Sequence, residues 1–266
     1  MENLPKRLAA SGAVEMWGRL GSISGGKVLD IATGKGDFIS VLMKTLKDYD
    51  SFVGIDISRE DLESAKKRFK DQPVELLEMN AESLEFDDNS FDTVSMAYSL
   101  HHLDRIDKVL TEMQRVLKPG GNLIIQEEFR DGDQTEAQKT NLLQHTWDAE
   151  IDTLLGKTHR ETFTRHEIKE LLSHMQLEQV EILESTRPVK CLSCEKRYKC
   201  EDPKDEENIQ GQIKEIDDNL KKLQDVADPE TRKDLQKRGE DLKERNKEFG
   251  NATPSTLLAI GKKRAH

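Results

Sequence analysis

The feature that most constrains this chain is a rhythm running from Lys27 to Glu128, in which short apolar runs bounded by turn residues alternate with segments whose apolar residues fall at helical spacing. KVLDIA (27 to 32) is nearly all apolar and stops at Thr33-Gly34-Lys35-Gly36, and DFISVLMKTLK (37 to 47) follows with helical periodicity. SFVGIDI (51 to 57), VELLEMN (74 to 80), FDTVSMAYSL (91 to 100) and NLIIQEE (122 to 128) read as four further strands. Between them Ser58 can cap a helix running to about Lys70, and Val109, Leu110, Met113, Val116 and Leu117 mark a helix that begins near Asp104 and ends at Lys118-Pro119-Gly120-Gly121. Strands that alternate with helices at this spacing form βαβ units. The expected fold is therefore α/β: a doubly wound, mostly parallel, Rossmann-like sheet with helices on both faces and right-handed crossovers. A ligand of such a sheet sits at the carboxyl ends of the strands, near a topological switch point.

Outside this stretch, residues 1 to 20 look like an amphipathic lead-in helix and Gly21 to Gly26 like a hinge. A helix from about Gln134 to Leu155 and one capped at Thr164 precede a sixth strand, LEQVEILES (177 to 185), and STLLAIGKKR (255 to 264) supplies a seventh. Between the last two strands the chain changes character, and here composition matters. Of 266 residues, 35% are hydrophobic and 35% charged, well above the roughly 25% charged of an ordinary domain. Lys204 to Phe249 holds 14 acidic and 11 basic residues, with Ile209, Ile213, Ile216, Leu220 and Leu223 at the 4-3-4-3 spacing of a coiled-coil seam. Asp228-Pro229-Glu230 is a cap followed by proline at the first helical position, and Leu235, Leu242 and Phe249 recur every seven residues. The expectation is one domain of residues 1–202 plus 250–266, interrupted by an antiparallel helical hairpin at 203–249. That hairpin reads as a solvated strut, with a homodimerisation arm or a substrate lid as the alternatives.

A net charge of −11 argues against a nucleic-acid partner or an anionic membrane surface. No apolar run approaches the roughly 20 residues that span a bilayer, and the N-terminal segment lacks the uninterrupted apolar stretch of a signal peptide, so a cytoplasmic protein is expected. The three cysteines, Cys191, Cys194 and Cys200, lie in one decapeptide, which is no disulfide framework. Their C-x2-C-x5-C pattern fits zinc, an iron-sulfur cluster, thiol chemistry or ordinary surface thiols; a fourth ligand is not apparent unless His174 or a second subunit supplies it.

The chemistry-bearing motif is Val28-Leu29-Asp30-Ile31-Ala32-Thr33-Gly34-Lys35-Gly36-Asp37. A glycine turn after the first strand lets backbone approach a ligand closely. A dinucleotide site would want a third glycine, and Gly34-Lys35-Gly36 is followed by Asp37-Phe38-Ile39. The flanking Asp30 and Asp37 suit a cationic ligand better, such as one bearing a sulfonium and an ammonium group. Asp56 ends the second strand, twenty residues after Gly36, where a carboxylate can take both hydroxyls of a ribose. Asn80 ends the third, where an amide can reach an adenine edge. Each polar residue alone could be a turn former; three of them ending three successive strands make coincidence a poor account.

Through VLDIATGKGDF, VGIDIS, NAESLEFDDNSFDTV and LKPGGNLII, the chain resembles the class I S-adenosylmethionine-dependent methyltransferases, in the group related to the ubiquinone/menaquinone and small-molecule enzymes. The resemblance covers about residues 10 to 130, extending more loosely to the strands at 177–185 and 255–264. It implies S-adenosylmethionine as cofactor and methyl transfer to a small-molecule acceptor. It places Asp30, Ala32, Gly34 and Gly36 around the methionine part, Asp56 on the ribose, Ile57 against the adenine, Asn80 and Ala81 at its border, and Ala97 with Tyr98 at the methyl end. Ala32 stands where many relatives have glycine and Asn80 where aspartate is commoner. If the acceptor must lose a proton, Tyr98, His101 and His102 are the candidate bases, with His145, His159 and Arg160 weaker ones. In the plainer reading the His101-His102 pair packs and caps the following helix. The competing function class is a non-catalytic cofactor-binding protein whose charged arm docks a partner. A nucleic-acid methyltransferase would want a Pro-Pro-Tyr type motif where Ala97-Tyr98-Ser99-Leu100 stands.

Overall fold

The computed structural model describes residues 10–187 and 202–265. A lead-in helix α1 (Ala13–Leu20) is followed by β1 (Lys27–Ile31), α2 (Asp37–Thr45), β2 (Ser51–Asp56), α3 (Arg59–Arg68), β3 (Val74–Glu78) and β4 (Phe91–Ala97). Then come a single 3-10 turn (Leu100–His102), α4 (Ile106–Val116), β5 (Leu117–Glu128), α5 (Glu136–Leu154), α6 (Arg165–Ser173) and β6 (Leu177–Ser185). The charged segment supplies α7 (Glu206–Lys222) and α8 (Pro229–Phe249), and β7 (Thr256–Lys263) closes the fold.

The strands form one seven-stranded sheet in the order β3-β2-β1-β4-β5-β7-β6. The first five are parallel; β7 inserts antiparallel between β5 and β6. Successive side chains of a strand face opposite sides, and that is how the near-continuous apolar runs are spent. On one face Leu29, Ile31, Val53, Ile55, Leu123 and Ile125 pack with Val109 and Met113 of α4 and with Ile168 and Leu172 of α6. On the other, Val28, Phe52, Ile124, Leu258 and Ile260 meet Met16 and Leu20 of α1 and Phe38, Ile39 and Leu42 of α2. The seven strands are those the sequence pattern implies, and the strand order reverses between β1 and β4. One boundary differs: β5 starts at Leu117, five residues before the expected Asn122, with Phe91 paired to Leu117 and a register irregularity before Thr93. Gly120, at φ +75, provides the backbone for that bulge, and a Cβ on Gly121 would lie 2.8 Å from the Asp92 and Lys118 carbonyl oxygens.

Helix starts follow side-chain capping. Ser58 accepts from the Asp61 N–H, Thr135 and Thr164 form capping boxes with Gln138 and Glu167, and Asp228 accepts from the Thr231 N–H ahead of Pro229. Helices α7 and α8 run antiparallel: Asp217 pairs with Lys243 at 2.7 Å, Leu220 lies beside Gly239, and Asn208 donates to the Asn251 carbonyl at 2.9 Å. They are not a solvated strut. Ile216, Leu223, Val226, Leu235 and Leu242 bury against Trp147 and Ile151 of α5, making a three-helix layer. Trp147 is 1% exposed and donates from Nε1 to the Leu235 carbonyl at 2.9 Å. Gly239 is what permits the close packing, because a Cβ there would sit 2.7 Å from Trp147 Cζ2. Cys191, Cys194 and Cys200 lie outside the described residues, as does the start of the lead-in segment; His174 is exposed at the C-cap of α6.

Candidate active site

The turn after β1 is built from two glycines with different jobs. Gly36 (φ +78) is the N-cap of α2, and a Cβ on it would fall 2.2 Å from Phe69 Cε2, so it is a packing glycine behind the site. Gly34 (φ +51) has nothing within 4 Å of a would-be Cβ and faces open space. Ala32 keeps the left-handed backbone that glycine adopts more readily, at φ +52. Asp56 clamps this turn from the next strand, accepting the Gly34 N–H at 2.8 Å on one oxygen and the Ser58 N–H at 2.8 Å on the other.

Asp30 is 1% exposed and accepts the hydroxyls of Thr33 and Ser95, each at 2.7 Å. Burial pushes its carboxyl up to about 6 despite those two hydrogen bonds, with Asp56 adding to the rise. An acidic group held this way, without a cation beside it, is suited to receive one.

Three cavities lie in a row along the carboxyl ends of the strands. The largest, about 820 Å³, is lined by Asp56, Ile57, Asn80, Ala81 and His102, among others. Ile57 is 75% exposed at its wall. Asn80 accepts the Glu82 N–H at 2.9 Å through Oδ1, so it is both a turn former and a cavity wall. The middle cavity, about 220 Å³, is lined by Asp30, Ala32, Gly34, Phe38, Ala97 and Tyr98, and shares Ala32 and Ser99 with the first. The third, about 350 Å³, shares Tyr98 with the second and is otherwise lined by His101, Glu128, Asn141, Gln144, His145, Asp148, Gln212, Glu215 and Thr253. Tyr98 thus stands between them, held at φ +52 and accepting a hydrogen bond from Gln126 at 2.7 Å.

The sequence candidates therefore separate. Asp30, Ala32, Gly34 and Ala97 line the middle cavity; Asp56, Ile57, Asn80 and Ala81 line the large one; Gly36 lines neither. The two adjacent histidines divide, His102 to the large cavity and His101 to the third. Arg160 is a brace: its N–H donates to the His101 carbonyl at 2.9 Å and its guanidinium holds the carbonyls of Leu103 and Asp104. His145 and His159 meet His101 and His102 in a cluster with ring centroids 4.1 to 5.9 Å apart. Burial lowers His101 to about 4 and His145 to about 3, so both stay neutral at physiological pH.

Sequence reasoning passed over Glu127, behind the turn after β4, and the acidic and amide lining of the third cavity. Glu127, 1% exposed, pins the turn after β4 by accepting the N–H groups of Ser99 and Leu100 at 3.0 and 2.9 Å, and burial raises it to about 7. A Glu-Glu pair closing an otherwise apolar strand was the available signal. Asp148 and Glu215, raised by burial and, for Asp148, to about 7 with help from Glu215, carry no comparable sequence signal, because one lies on α5 and the other on α7.

Comparison with known proteins agrees with this geometry. Residues 29–125 match the family described as a methyltransferase domain. The chain is 39% identical over 127 residues to a ubiquinone/menaquinone biosynthesis C-methyltransferase of Desulfotalea psychrophila, covering 46% of this chain and 51% of that protein. It is 36% identical over 109 residues to a demethylmenaquinone methyltransferase of Lactococcus lactis, covering 40% and 43%. The chain thus spans about half the length of the curated relatives it matches. In fold it is similar to a methyltransferase structure from Bacillus halodurans, with a TM-score of 0.58 at 17% identity over 95% of this chain and 99% of that one. It is also similar to a Haemonchus contortus phosphoethanolamine N-methyltransferase in complex with S-adenosylmethionine, with a TM-score of 0.53 at 20% identity over 95% and 52%. Residues 29–125 match a methyltransferase domain, and the sheet they belong to has the fold of solved methyltransferase structures.

Proposed function

We propose that the chain binds S-adenosylmethionine across the large and middle cavities and transfers its methyl group to a small polar acceptor held in the third. The observation that carries this reading is the continuity of the three cavities through Ala32, Ser99 and Tyr98. The adenosine part would lie on Ile57 between Asp56 and Asn80, and the methionine ammonium would meet Asp30. The sulfonium methyl would then point past Tyr98. Reaction is an in-line displacement: the acceptor lone pair forms the new bond to carbon, and the carbon–sulfur pair leaves with a sulfur that becomes neutral. Alignment supplies most of the acceleration. His101, neutral and on the acceptor side, is positioned better than His102 to accept a proton released by the acceptor.

The relatives' names carry C-methylation of quinone precursors. The third cavity favours a smaller, polar acceptor instead, because Glu128, Asn141, Gln144, Asp148, Gln212 and Glu215 line it. The hairpin contributes Gln212 and Glu215 and spends its apolar seam on α5, which supports a lid over a dimerisation arm.

Titration calorimetry on the full chain tests the cofactor reading. Wild type is expected to bind S-adenosylmethionine in the micromolar range. Asp56→Ala should lose about 2–3 kcal/mol, or 30- to 150-fold, and Gly34→Val should bind poorly because its side chain enters the middle cavity. Absence of binding by the wild type refutes the proposal. Binding without labelled methyl transfer to any of a panel of thiols, amines, phenols and quinols favours the non-catalytic reading.

A further inference from the structure

Four of the chain's seven histidines gather at one place, and the methyl-transfer reading uses only His101. We propose that His101, His145 and His159 bind one divalent transition-metal ion of the zinc class, with a coordination position open to the acceptor cavity. Each offers a ring nitrogen, and the three atoms lie within 4.8 Å of one another. In a tetrahedral site with metal–nitrogen bonds near 2.0–2.1 Å, ligand nitrogens stand about 3.3 Å apart. The Nε2 atoms of His145 and His159 are already 3.1 Å apart, so that half of the site is formed and the wider separation closes by about 1.5 Å or less.

The outer partners point the same way. His159 Nδ1 lies 3.0 Å from Asp152, and an ionised carboxylate only accepts, so the ring proton sits on Nδ1 and Nε2 presents a bare lone pair. His145 Nδ1 lies 3.2 Å from the Thr162 hydroxyl, again leaving Nε2 inward. His101 is 3% exposed, and its Nδ1 stands 3.6 Å from Glu127 with no hydrogen-bond partner. The loop carrying His159 is tied to the turn carrying His101 by the Arg160 N–H on the His101 carbonyl. Lys157 shares Asp152, at 3.2 Å, and is the nearest opposing charge in these contacts. The cavity reached by His101 and His145 has Glu128, Asp148 and Glu215 on its wall and no lysine or arginine among its described lining, a field that favours a dication. Three imidazoles with a fourth position toward a cavity is the arrangement of a working metal rather than a structural one. With the ion bound His101 is a ligand and no longer the base: the ion would take an acceptor oxygen, nitrogen or sulfur and ease loss of its proton to water. Only that role rests on the methyl-transfer reading; metal binding does not.

The test is cobalt(II) titration of the chelator-treated full chain, read by visible absorption, with S-adenosylmethionine binding measured on the same samples. One equivalent is expected, with ligand-field bands and no thiolate-to-cobalt band. The triple variant Cys191→Ser, Cys194→Ser, Cys200→Ser should retain it, His145→Ala and His159→Ala should each weaken it about 100-fold or more, and Asp152→Asn 10- to 100-fold. Nitrogen-15 histidine spectra of the wild type with zinc, expected to shift the Nε2 resonances of His145 and His159, keep the question open to decision should the alanine variants not fold. Wild type that binds S-adenosylmethionine but no cobalt or zinc overturns the proposal, leaving a hydrogen-bonded histidine pair. So does cobalt binding that vanishes in the cysteine variant or is untouched by the histidine substitutions.

Discussion

Asp30 is the residue on which local physics and function meet. Its carboxyl is raised from 3.8 to about 6, which means the folded protein takes up a proton that the unfolded chain does not hold between those values. The sign follows: stability contributed at low pH is lost as pH rises from 4 to 6, by about 3 kcal/mol at most, and stays lost above. Asp30→Asn is therefore expected to be more stable than wild type at pH 8 and similar at pH 4, measured by urea unfolding. Binding of a cationic ligand should show the opposite trend, tightening from pH 5 to pH 8 in the wild type and staying weak and flat in Asp30→Asn. A wild-type affinity independent of pH would remove Asp30 from the ammonium site. At Gly36 the expectation is purely steric. Gly36→Ala must carry a left-handed backbone and drive its methyl into Phe69, costing about 3 kcal/mol in chemical unfolding. The carboxylates, the glycines and Asn80 were legible in the sequence because each ends a strand. The role of Gly36 was not, because Phe69 approaches it from a helix 33 residues on.

At the scale of elements, the strands and most helix ends were legible because each is set by neighbours in the chain: alternation, caps, and glycine or proline punctuation. The start of β5 was hidden behind Lys118-Pro119-Gly120-Gly121, which reads as a turn and is instead a bulged strand entry opposite Phe91. The heptad spacing of α7 and α8 announced an apolar seam correctly. What faces that seam is α5, a helix whose own pattern gave little sign of it. Trp147→Ala should cost about 3–5 kcal/mol of overall stability. Gly239→Val is the more informative change, since it wedges α8 away from Trp147 without touching the sheet. Limited proteolysis should then cut within 204–249 more rapidly, cofactor affinity should hold within about twofold, and methyl transfer should fall. Equal loss of cofactor affinity would show that the hairpin supports the sheet and is no lid.

For the molecule as a whole, cofactor binding should appear as thermal stabilisation. A ligand at 100 times its dissociation constant adds about 2.7 kcal/mol, which for a chain of this size raises the melting temperature by about 5–10 °C in scanning calorimetry. Asp56→Ala should cut the shift to about 1–3 °C at the same ligand concentration. Among the described residues no helix is long and apolar enough to cross a membrane, and the segment 204–249 carries 25 of the chain's 93 charged residues. By itself the sequence determined the α/β alternation, the turn after β1, the strand-end carboxylates and the existence of a paired helical insertion, because all of these are encoded over distances of a few residues. Tertiary structure alone decided where the insertion docks, that Asp148 and Glu215 share one cavity, that His101 and His102 face different ones, and that His145 and His159 join His101. Those contacts join residues 14 to 88 positions apart, and burial, which sets their charge states and leaves a ring nitrogen without a partner, exists only once the chain has closed around them.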